Sequence, residues 1–159
     1  MREVMSAEAR FAALELTLPP PPQAGGNYVP YQRHGDLVYL AGVISISATA
    51  GQWTGQLGID RSVLEGQAAA RICALNAMSV LRSVTGSLDD VAQILTLSGY
   101  VNAVSGFDQS PMVINGASDL LVEIFGEAGR HARAAVAVAG LPKNATVEIQ
   151  LVAALKPGS

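Results

Sequence analysis

Ala132-Arg133-Ala134-Ala135-Val136-Ala137-Val138-Ala139-Gly140-Leu141-Pro142-Lys143-Asn144-Ala145-Thr146-Val147-Glu148-Ile149 sets one candidate cation and one anion on two apolar runs joined by a turn. Small and β-branched residues fill both runs, and Pro142 with Asn144 marks the reversal between them. A charge on an apolar strand is costly to bury unless a polar or charged group meets it. Arg133 and Glu148 are therefore the candidate site. A guanidinium grips a carboxylate through two parallel hydrogen bonds, and a carboxyl group in a partly dry pocket can move a proton at neutral pH. The pair suggests a pocket for a small organic acid. On neighbouring strands the same two residues would also form a cross-strand ion pair that neutralises both, and the residues alone leave both readings open.

Upstream, residues 91–101 carry Ile94, Leu95 and Leu97 in an apolar run that reads as a central strand. Ser110-Pro111 opens a helix, with Ser as cap and Pro in the first turn, that reaches Phe125 and ends at Gly126. Ser62 and Glu65 have capping-box spacing, so a longer helix starts there, runs to about Val84 and stops near Gly86. Leu64, Ala68, Ile72, Leu75 and Met78 form its apolar stripe. Ala69, Ala74, Ala77 and Leu81 leave little polar surface elsewhere, so this helix is covered on more than one side. Residues 45–60 read as a polar, glycine-rich surface loop, in which Trp53 either anchors the loop or covers a ligand.

Nearer the start, residues 28–33 and 37–42 make a hairpin through His34-Gly35-Asp36. Residues 6–16 form a short amphipathic helix on Ala7, Phe11 and Leu14, followed by four prolines at 19–22 that act as a stiff connector. The expected division is residues 1–24, helix and connector, then a single domain over 25–159. The order of elements predicts an α+β layer with both main helices on one face of the sheet.

From residue 25 to about 155 the chain resembles the reactive-intermediate deaminase (Rid, YjgF-like) family, some of whose relatives are named translation-inhibitor endoribonucleases. Four segments carry the resemblance in the family's order. They are Pro30-Tyr31 with Gly35-Asp36-Leu37-Val38-Tyr39-Leu40-Ala41-Gly42; Leu88-Asp89-Asp90-Val91 with Tyr100-Val101-Asn102; Phe107 with Val113-Ile114-Asn115; and the ending around Arg133, Leu141-Pro142 and Val147-Glu148-Ile149. The resemblance implies a chorismate-mutase-like fold with a mixed sheet, and a homotrimer with pockets between subunits. It also implies hydrolysis of 2-imino or enamino acids to 2-keto acids and ammonia.

On that resemblance Arg133 holds the substrate carboxylate and Glu148 serves as general acid and base. Tyr31 and Asn115 line the cavity, and the backbone near Gly42 and Ala135 binds polar atoms. No metal or organic cofactor is implied. The sequence departs from the family at Ala135, where many deaminating relatives carry a cysteine, and at Val43, where a polar residue is frequent and an apolar pocket mouth is expected instead. His131 falls on the strand face of Arg133, as a second ligand contact or as an interface or surface histidine. The alternative function is a noncatalytic keto-acid binding protein or sensor.

Composition narrows the field further. Of 159 residues only 14% are charged, while 50% are hydrophobic, too little charge to cover a monomer comfortably. Subunit interfaces are the natural outlet, because no apolar stretch reaches the roughly 18 residues a membrane span needs. A net charge of −3 with scattered basic residues is the wrong balance for a nucleic-acid partner or for RNA cleavage. The lone Cys73 excludes an internal disulfide and a cysteine metal cluster, and reads as a buried small residue. Arg2, Glu3, Glu8 and Arg10 interrupt any secretory signal, so a cytoplasmic protein is expected.

Overall fold

The computed structural model describes residues 4–159. Helix α1 (Ala7–Ala13) is capped by Ser6, whose hydroxyl accepts from the Ala9 N–H. It ends earlier than its sequence pattern suggests, leaving Leu14 39% exposed, and buries Phe11 alone. The Glu8 carboxylate fixes α1 to the body by accepting from the Arg82 guanidinium and from the Leu88 N–H. Burial opposes its ionisation, but those donors outweigh the cost and hold Glu8 below the usual carboxylate range. Pro19, at the head of the proline tract, accepts a hydrogen bond from Ser79 through its carbonyl.

The strands that follow are β1 (Tyr31–His34), β2 (Leu37–Leu40), β3 (Val43–Ile44), β4 (Ile46–Ser47) and β5 (Gly51–Gln52). The glycine-rich segment is thus not a simple surface loop. Ser45 and Leu57 within it are fully buried. The Ser45 hydroxyl donates to the Trp53 carbonyl and accepts from the Thr146 and Val147 N–H groups, so one hydroxyl pins the segment to the sheet. Trp53 packs on the core with the Arg61 guanidinium 5.1 Å from its ring, the anchor arrangement.

Helix α2 (Val63–Thr85) has the capping box its sequence announces, Ser62 and Glu65 each accepting from the other's backbone N–H, and stops at Gly86 with φ 96°. Its buried surface runs nearly all round, through Ala69, Ala70, Cys73, Ala74, Ala77 and Leu81. Leu64 is 77% exposed and lies outside the stripe assigned to it. Strand β6 (Val91–Asn102) follows, then α3 (Ser110–Phe125), β7 (Ala132–Val138) and β8 (Val147–Leu155). Ser110 is already helical; Gln109 takes the cap position without a side-chain bond, and Pro111 supplies the first-turn signal.

The main sheet runs β1-β2-β8-β6-β7, with β3 also paired to β8. Only β6 and β7 pair in parallel; the other pairs are antiparallel. The last two strands are therefore not a hairpin. After β7 the chain passes the end of β6, and Asn102 there donates to the Asn144 side chain and the Ala145 carbonyl, tying down the crossover. Lys143 and Asn144 both adopt φ 55° to make it.

Both main helices pack on one sheet face. A methyl added at Gly99 of β6 would strike Ile114 of α3, and one at Gly116 would strike the Gln67 backbone of α2, so glycine permits both approaches. The opposite face carries no helix among the described residues and exposes Tyr39 and Val136 by 47% each. None of the described helices is long and apolar enough to cross a membrane.

Candidate active site

Strand register places the two charged candidates. Arg133 stands opposite Leu97 of β6, and Glu148 stands opposite Tyr100. Positions 97 and 100 are three apart with no bulge between them, so they point to opposite faces. Leu97 is buried, which puts Arg133 on the helix side and Glu148 on the open side. With β6 between their strands, the neighbouring-strand ion pair does not form within one chain, and neither residue is in an ion pair among the described residues.

Arg133 reaches along the edge of the sheet to α3. Its Nη1 donates to Asn115 Oδ1 at 2.7 Å and to Ser118 Oγ at 3.2 Å, and its Nη2 donates to the Pro111 carbonyl at 3.2 Å. Three of the five guanidinium hydrogens are thus used. Nε–H and one Nη2–H have no partner among the described residues, and Nε with Nη2 is one of the two edges of a guanidinium that can grip a carboxylate. Asn115, expected to line the cavity, holds the guanidinium through its Oδ1. Ala135, two residues on and on the same face, packs against the core with a methyl where a thiol could have stood.

His131 is fixed at both nitrogens. Its Nδ1 lies 2.7 Å from the Gly129 carbonyl, which can only accept, so Nδ1 carries the hydrogen. Its Nε2 lies 2.9 Å from Ser118 Oγ, so in the neutral ring the hydroxyl donates to it and turns a lone pair to Arg133. His131 therefore acts on Arg133 through Ser118 and has no nitrogen to spare for a ligand. Ser118 escaped the sequence reading; only its position three residues after Asn115, one turn along the same helix face, signalled it.

On the open face, Glu148 is partly exposed, and burial raises its carboxyl above the ordinary glutamate range. Gly42 is its close neighbour: a methyl built there would sit 2.9 Å from Glu148 Oε2 and 3.1 Å from Cδ. Val43 does not line the pocket mouth. It pairs with Ile149 and turns into the core, only 6% exposed. Tyr31 is on edge strand β1 opposite Leu40, in a shallow groove that ends at Ala41 beside Gly42. Cys73 is buried behind β8, donates to the Val147 carbonyl, and is pushed well above the usual thiol range by burial and then by the charge of Glu148.

The candidates thus fall into two groups, Arg133 with Asn115, Ser118, His131 and Ala135 on the helix side, and Glu148 with Gly42 on the open side, while Tyr31 shares the core-facing register of Leu40 at the sheet edge and joins neither group. With strands about 4.8 Å apart and residues rising about 3.3 Å along them, the Cα atoms of Arg133 and Glu148 are on the order of 14 Å apart.

The sequence matches the family described as "YjgF/chorismate mutase-like, putative endoribonuclease" over residues 8–155. Protein TCP17 of Trypanosoma cruzi is 41% identical over 148 residues, which is 92% of each chain. A crystal structure from Shewanella oneidensis MR-1, described as that of a "putative endoribonuclease", shares 38% identity with a TM-score of 0.90, covering 95% of this chain and 100% of its own. Protein Atu1372 of Agrobacterium tumefaciens, of unknown function, also shares 38% identity, with a TM-score of 0.85 over 94% of this chain and 93% of its own.

Proposed function

The chain belongs to the YjgF/chorismate mutase-like family, and from that premise we propose that it hydrolyses reactive 2-imino and enamino acids to 2-keto acids and ammonia in a pocket shared by two subunits. One observation carries the proposal. Arg133 is held with its Nε–H and one Nη2–H unpartnered among the described residues, while Glu148, the acid to complement it, lies on the opposite face of the same sheet. A second copy that brings its Glu148 side to the Arg133 side of the first completes both. The homotrimer implied by the resemblance is the assembly we assign, with the apolar edge strand β7 and the uncovered sheet face as its contact surfaces.

In such a pocket Arg133 binds the carboxylate and orients C2 of the imine. Glu148, kept protonated to higher pH by burial, donates its proton to the imine nitrogen and makes C2 electrophilic. The resulting carboxylate takes a proton from water as the oxygen attacks C2, forming a carbinolamine. Protonation of the amino nitrogen and collapse of the carbinolamine hydroxyl to a carbonyl then release ammonia and the 2-keto acid. An enamine enters by first taking a proton at C3. The expected setting is the cytoplasm, where pyridoxal-phosphate dehydratases acting on serine or threonine generate such imines.

Ala135 favours a second reading, a binding protein or sensor that holds a keto acid without turning it over. A chain of net charge −3 gives no support to RNA as the substrate. The test is keto-acid release from freshly generated 2-iminopropionate and 2-iminobutyrate, measured over the spontaneous background for wild type and Arg133→Ala. Acceleration by wild type that the variant loses by about a hundredfold supports the hydrolase. Keto-acid binding without acceleration supports the sensor, and the same rate in both proteins overturns the role of Arg133.

A further inference from the structure

We propose that the preferred ligand of this pocket is a dicarboxylate, whose second carboxylate is taken by Arg130. The inference rests on Arg133 as the grip for the first carboxylate. Beside Arg133 lies a cleft of about 220 Å³ lined by Ser118, Val122, Arg130, His131 and Arg133. Sites for drug-sized molecules run roughly 300–1,000 Å³, so this one suits a metabolite of a few carbons. The chain as a whole has more acidic than basic residues, yet the lining of this cleft holds two arginines and a histidine and no carboxylate. Such a local excess of positive charge matches an anion with more than one charge.

Arg130 is available for that role. Its Nε donates to Glu127 Oε1 at 3.1 Å, but the two side chains are 70% and 90% exposed. An ion pair in that setting adds little and exchanges readily with an incoming carboxylate. The base of the side chain is fixed, since the Arg130 N–H donates to the Glu127 carbonyl and the Arg130 carbonyl accepts from Gln93 Nε2 at 2.6 Å. His131 lines the same cleft and keeps both nitrogens engaged with Gly129 and Ser118. With both His131 nitrogens engaged, Arg130 is the remaining cation of the lining to take a second carboxylate from a ligand held by Arg133.

The probes are 2-oxoglutarate and 2-oxopentanoate, which share a five-carbon 2-keto acid frame and differ in the terminal carboxylate. Calorimetric titration of the full chain in its native assembly, at low ionic strength, should show 2-oxoglutarate binding on the order of fivefold tighter. Arg130→Gln should erase that preference and leave 2-oxopentanoate affinity within about twofold, because this exposed side chain supports no core contact. Glu127→Gln should strengthen 2-oxoglutarate binding, and added salt should narrow the preference. Equal affinity of wild type for the two acids, or equal losses for both in Arg130→Gln, would overturn the proposal. Arg133→Ala separates the two levels of inference. Arginine-dependent binding of both acids without a preference removes the dicarboxylate and leaves the pocket; binding of both that ignores Arg133 removes the two together.

Discussion

Gly42→Ala should damage catalysis while leaving the fold intact. The new methyl would lie 2.9 Å from Glu148 Oε2, 3.1 Å from its Cδ and 3.5 Å from its Cγ, whereas ordinary carbon contacts begin at 3.4 Å. The carboxyl group must retreat by about 0.5 Å. Nothing else crowds the site, Gly42 is solvent-exposed and its backbone is not left-handed, so the side chain of Glu148 absorbs the change by rotation. The expected loss of stability is below ~1 kcal/mol, or about 3 °C in Tm for a domain of this size. A misplacement of 1 Å in a reacting group can cost about a hundredfold, so half of that predicts roughly a tenfold fall in kcat. Keto-acid release from 2-iminobutyrate, run beside thermal unfolding, measures both. Wild-type turnover in Gly42→Ala would detach Glu148 from the chemistry, and a Tm loss above about 10 °C would contradict the structural argument.

Gly116→Ala should do the reverse, because its methyl meets the Gln67 backbone rather than a flexible side-chain end; forcing α2 and α3 apart costs at least ~3 kcal/mol, seen as a Tm lowered by about 10 °C or as insoluble protein. Glu8→Gln should cost ~1 kcal/mol by removing the charged acceptor of Arg82 and Leu88, measured by denaturant unfolding. Since folding lowers the Glu8 pKa, its contribution is present above the unfolded-state value and fades as pH falls through the folded one, so the difference from Glu8→Gln should shrink in acid. Glu148 has the opposite sign: folding raises its pKa, so the folded state binds the extra proton and stability falls as pH rises through the folded value. Glu148→Gln should flatten that slope and abolish turnover, while keto-acid affinity stays near wild type; loss of binding as well would contradict the assigned role. Cys73 should resist alkylation until the chain unfolds, which a mass shift under native and denaturing conditions reads directly.

Local chemistry made much of this fold legible. The Ser62 and Glu65 capping box, the stop at Gly86 and the central place of residues 91–101 are written in nearest-neighbour spacing, and the structure keeps all three. What misled was pairing, which is nonlocal. Leu141-Pro142-Lys143-Asn144 reads as a hairpin turn, but β6 fills the gap between the flanking strands, and the crossover depends on Asn102, some forty residues away in sequence. That insertion takes Arg133 and Glu148 off neighbouring strands, and the three-residue offset of their partners along β6 puts them on opposite faces of the sheet. Ser45 hid for a related reason, since its three hydrogen-bond partners lie at Trp53, Thr146 and Val147 and give a polar loop residue a buried position. Arg133 and Glu148 stood out as single charges on apolar runs, whereas Asn115 was named only through the family resemblance. Ser118 was not, because a lone serine in a helix has no meaning until its partners are known.

The central claim is that one functional site needs Arg133 from one copy and Glu148 from another. Arg133→Ala and Glu148→Gln, each inactive as a homo-oligomer, should be mixed in equal amounts, unfolded and refolded together, and assayed for 2-iminobutyrate hydrolysis. Random assembly pairs an intact Arg133 with an intact Glu148 at about one interface in four, so recovery of about a quarter of wild-type activity is predicted. Hybrid oligomers that form, as shown by a mass or affinity tag on one variant, and still hydrolyse nothing above background would contradict the account.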